Sequence, residues 1–327
     1  MQVVNDAIHG SDLPRGGIAT IGNFDGLHRG QRAIVDQVVA RARELGESAL
    51  AITFEPHPLS ILRPAEAPTL LVTPAQKDRL FEAAGMDALL RVRFTPEFAE
   101  TRAEDFITRF LHRKLALREI YVGKNFVFGR GREGTLELLE SLGRKLGFTA
   151  LGVDEVRAKG KPVSSTRIRN AVADGRVDEA WELLGRPYAV EGVIQRGDRM
   201  GKRLGWPTIN VAADNKLLPA DGVYACRVFF PSYPASFDCV TNIGTRPTIY
   251  ENYQRVMEGH ILDFGGNVYG ERVELGFHKR LREERIFPSV MDLSAQIARD
   301  VDSTREYFAG RRRLEREQEA APVGDQA

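Results

Sequence analysis

Cysteine is nearly missing from this chain: 327 residues hold two, Cys226 and Cys239. That excludes a disulfide framework and a cysteine-rich metal site, and it is compatible with a reducing compartment. An excess of one charge is missing too. Lys and Arg total 46 against 45 Asp and Glu, a formal net charge of +1. Such balance argues against a surface built to coat nucleic acid, although it leaves room for a local basic patch. Long apolar runs are absent, so no membrane span is expected. Met1 to Asp12 has no basic start followed by an apolar stretch, so no secretory leader is expected either. The expectation is a cytoplasmic protein without nucleic-acid or membrane partners; its oligomeric state is not legible.

What is there is globular: 43% hydrophobic and 28% charged residues, in a chain long enough for two cores. The first half alternates apolar strand-like runs with helix-like segments. Strands are expected at 18–21, 49–54, 88–92, 120–122 and 150–153. Helices are expected at 74–84, with Thr73 as N-cap and Pro74 first, at 103–115 and at 134–146. This rhythm predicts a parallel sheet with helices on both faces, whose ligands sit beyond the carboxyl ends of the strands. Near Gly185-Arg186-Pro187 the texture changes to valine-rich and aromatic runs broken by Gly, Pro and Asp. Strands at 188–194, 222–230, 238–242, 255–262 and 271–277 predict an antiparallel barrel or sandwich, closed by a helix at about 290–308. The expected domains are 1–184 and 185–310, with 311–327 as a fraying helix end and disordered tail.

Four segments fall at strand ends of the first domain. Gly22-Asn23-Phe24-Asp25-Gly26-Leu27-His28-Arg29-Gly30-Gln31 joins a strand to a helix through a glycine-rich turn. Its glycines let backbone approach phosphate, and the helix start offers free N–H groups and a positive dipole end. Phe54-Glu55-Pro56-His57-Pro58 ends the second strand, Val122 to Gly129 follows the fourth, and Ser164-Ser165-Thr166-Arg167-Ile168-Arg169 opens a helix after the last. The chemistry they point to is nucleotidyl transfer, which needs donors around a triphosphate rather than a covalent nucleophile. His28, Ser165, Thr166 and Arg169 supply them, Arg169 through its planar fork. Plainer readings stand beside this one: a surface histidine, core rings at Phe54 and Phe128, a rigid turn at His57, an N-cap in the serine run. Four such accidents at four strand ends are less economical than one site.

The second half carries Gly197 to Asn210, three glycines with basic side chains ending in Pro207-Thr208-Ile209-Asn210. It lacks P-loop spacing, and it reads equally as a glycine-rich hairpin. On an extended strand Thr208 and Asn210 share a face, where a hydroxyl and an amide oxygen suit a Mg2+–ATP unit. Glu258 stands at the edge of an apolar run, either as an exposed carboxylate or as a base for phosphoryl transfer.

In this order the segments resemble bacterial bifunctional riboflavin kinase/FAD synthetases over about residues 16 to 309. The first-half segments are similar to the family's GxFDGxHxGH, FEPHP, VGxxFxFG and SSTxIR patterns. Those at Gly197–Asn210, Thr241–Thr248, Val256–Phe264 and Leu281–Phe287 are similar to its GxxxGRxLGxPTAN, TNIGxRPT, VExHxLDF and LRxExxF patterns. The resemblance implies a Rossmann-like α/β nucleotidyltransferase domain followed by an antiparallel β-barrel kinase domain with a C-terminal helix. It implies ATP, riboflavin and FMN as partners and Mg2+ with ATP as cofactor. ATP contacts would come from Gly22, Phe24, Gly26, His28, Gln31, Ser165, Thr166 and Arg169 in the first site. In the second they would come from Gly197, Gly201, Lys202, Thr208 and Asn210, with Thr208 on the metal. Flavin contacts would come from Phe54, His57, Pro58, Asn125, Phe128, Arg282 and Phe287. His28, Arg169, Asn210 and Glu258 would carry the chemistry, Glu258 as the base. One position departs: Gln31 stands where the family has a second histidine. If that histidine acts as a cation, losing it costs about 3 kcal/mol, roughly a hundredfold in rate. The alternative is then an active kinase fused to a weakened or silent adenylyltransferase.

Overall fold

The computed structural model describes residues 1–197, 201, 205–246 and 254–320. They form two compact units, Met1–Arg167 and Ile168–Ala327.

Six parallel strands make the first unit's sheet: β1 (Gln2–Val4), β2 (Ile18–Ile21), β3 (Ala49–Glu55), β4 (Ala88–Arg93), β5 (Glu119–Gly123) and β6 (Thr149–Val153). Their order is β1-β4-β3-β2-β5-β6. Period-two alternation feeds both faces. Ala19, Ile21, Leu50, Ile52, Leu90 and Ile120 pack with Phe106, Ile107 and Leu111 on one side. Ile18, Ala49, Ala51, Leu89 and Tyr121 pack with Val35, Val38, Ala42 and Phe81 on the other. β2 lies between β3 and β5. The chain runs outward one way from β2 and later returns to its other side, so the crevice of this sheet opens at the carboxyl end of β2. β1, three residues on the sheet edge, was not expected. The helix expected at 103–115 is present but wound wide: the Leu115 N–H reaches the Phe110 carbonyl, five residues back.

A short hairpin, β7 (Arg157–Ala158) and β8 (Lys161–Pro162), follows. The second unit is a closed antiparallel barrel of β9 (Tyr188–Gln195), β10 (Ile209–Ala213), β11 (Gly222–Phe229), β12 (Phe237–Arg246), β13 (Gln254–Ile261) and β14 (Arg272–Arg282). Its order is β10-β13-β12-β11-β14-β9, β9 closing on β10. The expected strands were five; β10 is the sixth, formed where the glycine-rich segment ends. Cys226 and Cys239 oppose each other across β11 and β12, fully buried as free thiols. A helix at Val177–Leu184 packs on β14 and β9, so the expected boundary at 184/185 falls after it while the compact units divide at 167/168. The C-terminal helix, Val290–Ala320, lies along the face of Val223, Val240 and Leu262 through Ile297 and Val301. It runs past Phe308 to Ala320, where a fraying helix end was expected; the rest of the expected tail, 321–327, lies outside the described residues. Arg312 reaches Asp238 on β12 at 2.8 Å, the Arg311 guanidinium lies 4.2 Å from the Trp181 ring, and Arg313 pairs with Glu317 one turn on.

Candidate active sites

The Gly22–Gln31 turn leaves β2 at the switch point. Phe24, Gly26 and Leu27 take positive φ angles of 45°, 95° and 41°, a conformation that costs a non-glycine residue free energy and persists only when its surroundings fix it. They do. Leu71 N–H donates to Asp25 Oδ1 at 2.8 Å, Ser165 Oγ donates to the Asp25 carbonyl at 2.8 Å, and Thr53 Oγ1 and Lys77 Nζ both donate to the Asn23 carbonyl, at 3.2 and 3.0 Å. Burial pulls the Lys77 ammonium below its usual range, with the Asp25 carboxylate opposing. The Asn23 amide meets His57 Nε2 at 3.3 Å.

Two helix N-termini meet at this turn. His28 caps the helix Arg29–Leu45: its Nδ1 accepts from Gln31 N–H, and Gln31 Oε1 accepts from His28 N–H, both at 3.3 Å. In the neutral ring the proton is therefore on Nε2, a donor. Ser164 Oγ accepts from Arg167 N–H and caps the helix Ser165–Ala173. A Cβ at Gly30 would come within 3.3 Å of the His28 ring and 3.5 Å of the Val163 carbonyl, so glycine lets the two starts converge. Backbone N–H groups, two dipole ends, the imidazole and the Thr166 hydroxyl are donors of the kind an anion takes; the expected Ser165 donor is not among them, because its hydroxyl proton is given to the Asp25 carbonyl. Thr166 is exposed, and Arg169 stands one turn further along the same helix.

Several expectations change here. Phe24 does not present its ring to the crevice: it is buried edge-on against Phe81, centroids 5.2 Å apart, because positive φ turns the side chain inward. Only its backbone belongs to the turn. Gln31 uses its amide oxygen in the cap. Phe128 is core, its ring filling the space over Gly134, where a Cβ would lie 2.7 Å away. Phe126, stacked on it at 5.4 Å, is the half-buried partner. Phe54 belongs to a row with Phe94 and Phe98, centroids 5.7–6.2 Å apart. His57 caps the short helix Pro58–Leu62 by accepting from Leu59 N–H at 3.2 Å. Asn125 is exposed in the turn after β5.

In the second unit, register assembles the site. Asn210 on β10 and Asn242 on β12 each stand opposite Glu258 on β13, and opposed residues of antiparallel strands share a face. Thr208 extends that face two residues ahead of Asn210. A cavity of about 320 Å3 opens between this outer barrel face and the C-terminal helix. Thr208, Asn242, Glu258 and His260 line it from the barrel side, Arg282 from the end of β14, Arg285 and Phe287 from the segment after it, and Asp300 from the helix. Arg282 grips Asp300 through Nε (3.1 Å to both oxygens) and Nη2 (2.8 Å), and its guanidinium lies 5.5 Å from the Phe287 ring. Gln296 donates to Asp300 at 2.8 Å and accepts from Arg285.

Glycine shapes this site by absence. A Cβ at Gly197 would lie 2.2 Å from the Asn210 amide nitrogen, and one at Gly201 would lie 2.4 Å from the Trp206 carbonyl and 3.0 Å from Thr208 Oγ1. Backbone thus lies directly over both side chains, at a spacing only glycine allows. A hydroxyl and an amide oxygen are hard donors of the kind Mg2+ takes beside substrate phosphates, so these residues fit that ion. Gly259 has a packing cause: a Cβ there would meet Cys239 Sγ at 2.9 Å. Lys202 lies outside the described residues. Asn242, Arg285, Asp300 and His260 had no assigned role in the sequence; Asn242, His260 and Arg285 sit inside quoted motifs, and cross-strand register is what brings Asn242 beside Glu258.

One glycine-rich turn at the switch point of a parallel sheet and a second against a closed barrel, each over polar donors, define a two-unit ATP-dependent transferase. Residues 11–167 match the family described as FAD synthetase, and residues 184–308 match riboflavin kinase. The bifunctional riboflavin kinase/FMN adenylyltransferase of Escherichia coli K12 is 36% identical over 309 residues, covering 94% of this chain and 98% of that protein. The Pseudomonas fluorescens protein of the same name is 38% identical over 295 residues, covering 90% and 94%. The chain belongs to the bifunctional riboflavin kinase/FMN adenylyltransferase family. A solved structure named macrolide-efflux protein, from Streptococcus pneumoniae, matches with a TM-score of 0.84 at 28% identity over 93% of this chain and 98% of that one. Among the described residues here, no helix is long and apolar enough to cross a membrane.

Proposed function

We propose that this chain makes FMN and then FAD. Residues 185–310 transfer the γ-phosphoryl group of ATP to the 5′-hydroxyl of riboflavin, releasing ADP. Residues 1–184 transfer AMP from a second ATP to the phosphate of FMN, releasing pyrophosphate. The observation that carries the reading is the register placing Glu258 between Asn210 and Asn242 on one face, with Glu258, Asn242 and Thr208 lining a cavity that Arg282 and Phe287 also line.

Glu258 takes the proton of the riboflavin hydroxyl as its oxygen attacks the γ-phosphorus, a role a positioned carboxylate can fill. Thr208 and Asn210 hold the metal-bound phosphates under Gly201 and Gly197; Mg2+, when bound, offsets phosphate charge. Phe287, backed by the Arg282–Asp300 pair, supplies a flat apolar wall for isoalloxazine. At the first site, His28 Nε2–H, the Thr166 hydroxyl, the backbone N–H groups of the turn and Arg169 further along the same helix stabilise charge on the triphosphate as the FMN phosphate attacks; the Ser165 hydroxyl, which donates to the Asp25 carbonyl, holds the turn instead. Phe54, with Phe94, Phe98 and Phe126, and Asn125 receive the flavin. No observation favours a silent first unit, since Gln31 has work in the cap and the curated relatives are bifunctional. We place the enzyme in the cytoplasm, a reading supported by two free, buried thiols.

The test is to incubate the purified chain with riboflavin, ATP and Mg2+ and resolve the flavins by chromatography. FMN should appear first and FAD after it. FMN without FAD would refute the first-unit reading, and no FMN would refute the second.

A further inference from the structure

The backbone ladder between β10 and β13 ends at Ile209 opposite Gly259. The next rung would pair Thr208 with His260. In its place His260 Nδ1 lies 2.8 Å from the Pro207 carbonyl. A carbonyl only accepts, so Nδ1 carries the proton and donates it. The ring is held on its other side by Trp206, edge-on at 5.4 Å and 88°. Trp206 is tied in turn to the C-terminal helix, its Nε1–H donating to Ser294 Oγ at 3.1 Å. His260 is two residues from Glu258 on one strand, so the two side chains share a face, and both line the cavity. A single imidazole thus joins the strand of the carboxylate to the peptide immediately before Thr208.

We propose that His260 is a positioning residue of the kinase site: its Nδ1–H bond to Pro207 sets the separation of Thr208 from Glu258, between which the phosphoryl group must pass. The inference rests on the kinase reading above and adds a residue to it. Without this bond the backbone ladder to β13 begins at Ile209, one residue beyond Thr208. Thr208 then drifts while the flavin wall at Phe287 stays in place. In-line transfer is sensitive to such misplacement, at about a hundredfold in rate for roughly 1 Å.

Asparagine and glutamine separate position from bulk. The amide nitrogen of asparagine falls near Nδ1 of histidine and can donate to Pro207. That of glutamine is one bond further out and falls near Nε2. The experiment measures kcat and KM for FMN formation in His260→Ala, His260→Asn and His260→Gln, with riboflavin binding followed by fluorescence quenching and ADP binding by calorimetry. FMN-to-FAD conversion by the same samples controls for folding. Expected are a fall in kcat of about tenfold or more in the Ala and Gln variants, weaker ADP binding, unchanged riboflavin affinity, and Asn within about threefold of the parent. An Asn variant as slow as Gln, or an Ala variant as fast as the parent, overturns the proposal. A parent chain that makes no FMN refutes the kinase reading itself, a distinct outcome.

Discussion

The two units solve one problem with different materials. The first meets a triphosphate with the ends of elements: a turn bent through three positive-φ residues, two helix N-termini and an imidazole that is itself a cap. In the proposed function the second meets it with strand faces, where Thr208 and Glu258 line one cavity and glycine backbone lies close over Thr208 and Asn210. A site made of turn backbone depends on whatever fixes the turn. A site made of strand faces depends on register, which several rungs of ladder hold at once. Substitutions in the first should therefore act through local geometry, and substitutions in the second through the particular side chain removed.

The largest effect should follow Glu258→Gln. Loss of the base should lower FMN formation by about 10^2–10^4-fold, while riboflavin binding and conversion of supplied FMN to FAD stay near parental levels; steady-state kinetics on each flavin check this. Gly197→Ala comes next. Its Cβ would collide with the Asn210 amide, so kinase turnover should fall at least about tenfold at a stability cost of about 1–3 kcal/mol, read by kinetics and thermal melting. On the other side of the comparison, Gln31→Ala removes one half of the reciprocal cap with His28. Stability should drop by about 1 kcal/mol, with FAD formation several-fold slower and kinase activity unchanged. An equal loss in both activities would mean that the units are not independent.

Much of this was legible beforehand, and the rest was not for physical reasons. Short apolar runs marked five of the six sheet strands, and Thr73-Pro74 marked a helix start that the structure caps through Thr73 Oγ1. Glycine-rich turns at strand ends located both candidate sites. Which way Phe24 and Phe128 point was not legible, because a motif names a residue and φ decides its direction. Register was not legible either: Asn242 and His260 meet their partners across 16 and 53 residues of chain. Nor was the extent of the helix beyond Phe308 legible, because the Asp238 that anchors Arg312 is far away in sequence.

A further expected effect concerns stability rather than turnover. His278 is buried against Trp181 and Phe308, and burial, with Arg227 and Arg311 nearby, pushes its pKa down to about 4. An unfolded histidine titrates near 6.5. The folded state therefore refuses a proton that the unfolded state accepts. The contribution is complete above about pH 6.5 and is lost as pH falls toward 4. His278→Phe should flatten that part of the stability profile, a change of about 2 kcal/mol in denaturant titrations at pH 7 against pH 4.5.

The central claim is two separate catalytic centres, one in each unit. Mixing Glu258→Gln with His28→Ala tests it most directly. Given riboflavin, ATP and Mg2+, neither variant alone should form FAD, the first for want of FMN and the second for want of adenylyl transfer, while the mixture should form it. A mixture that yields no FAD, or a Glu258→Gln chain that fails to convert supplied FMN, would contradict the account.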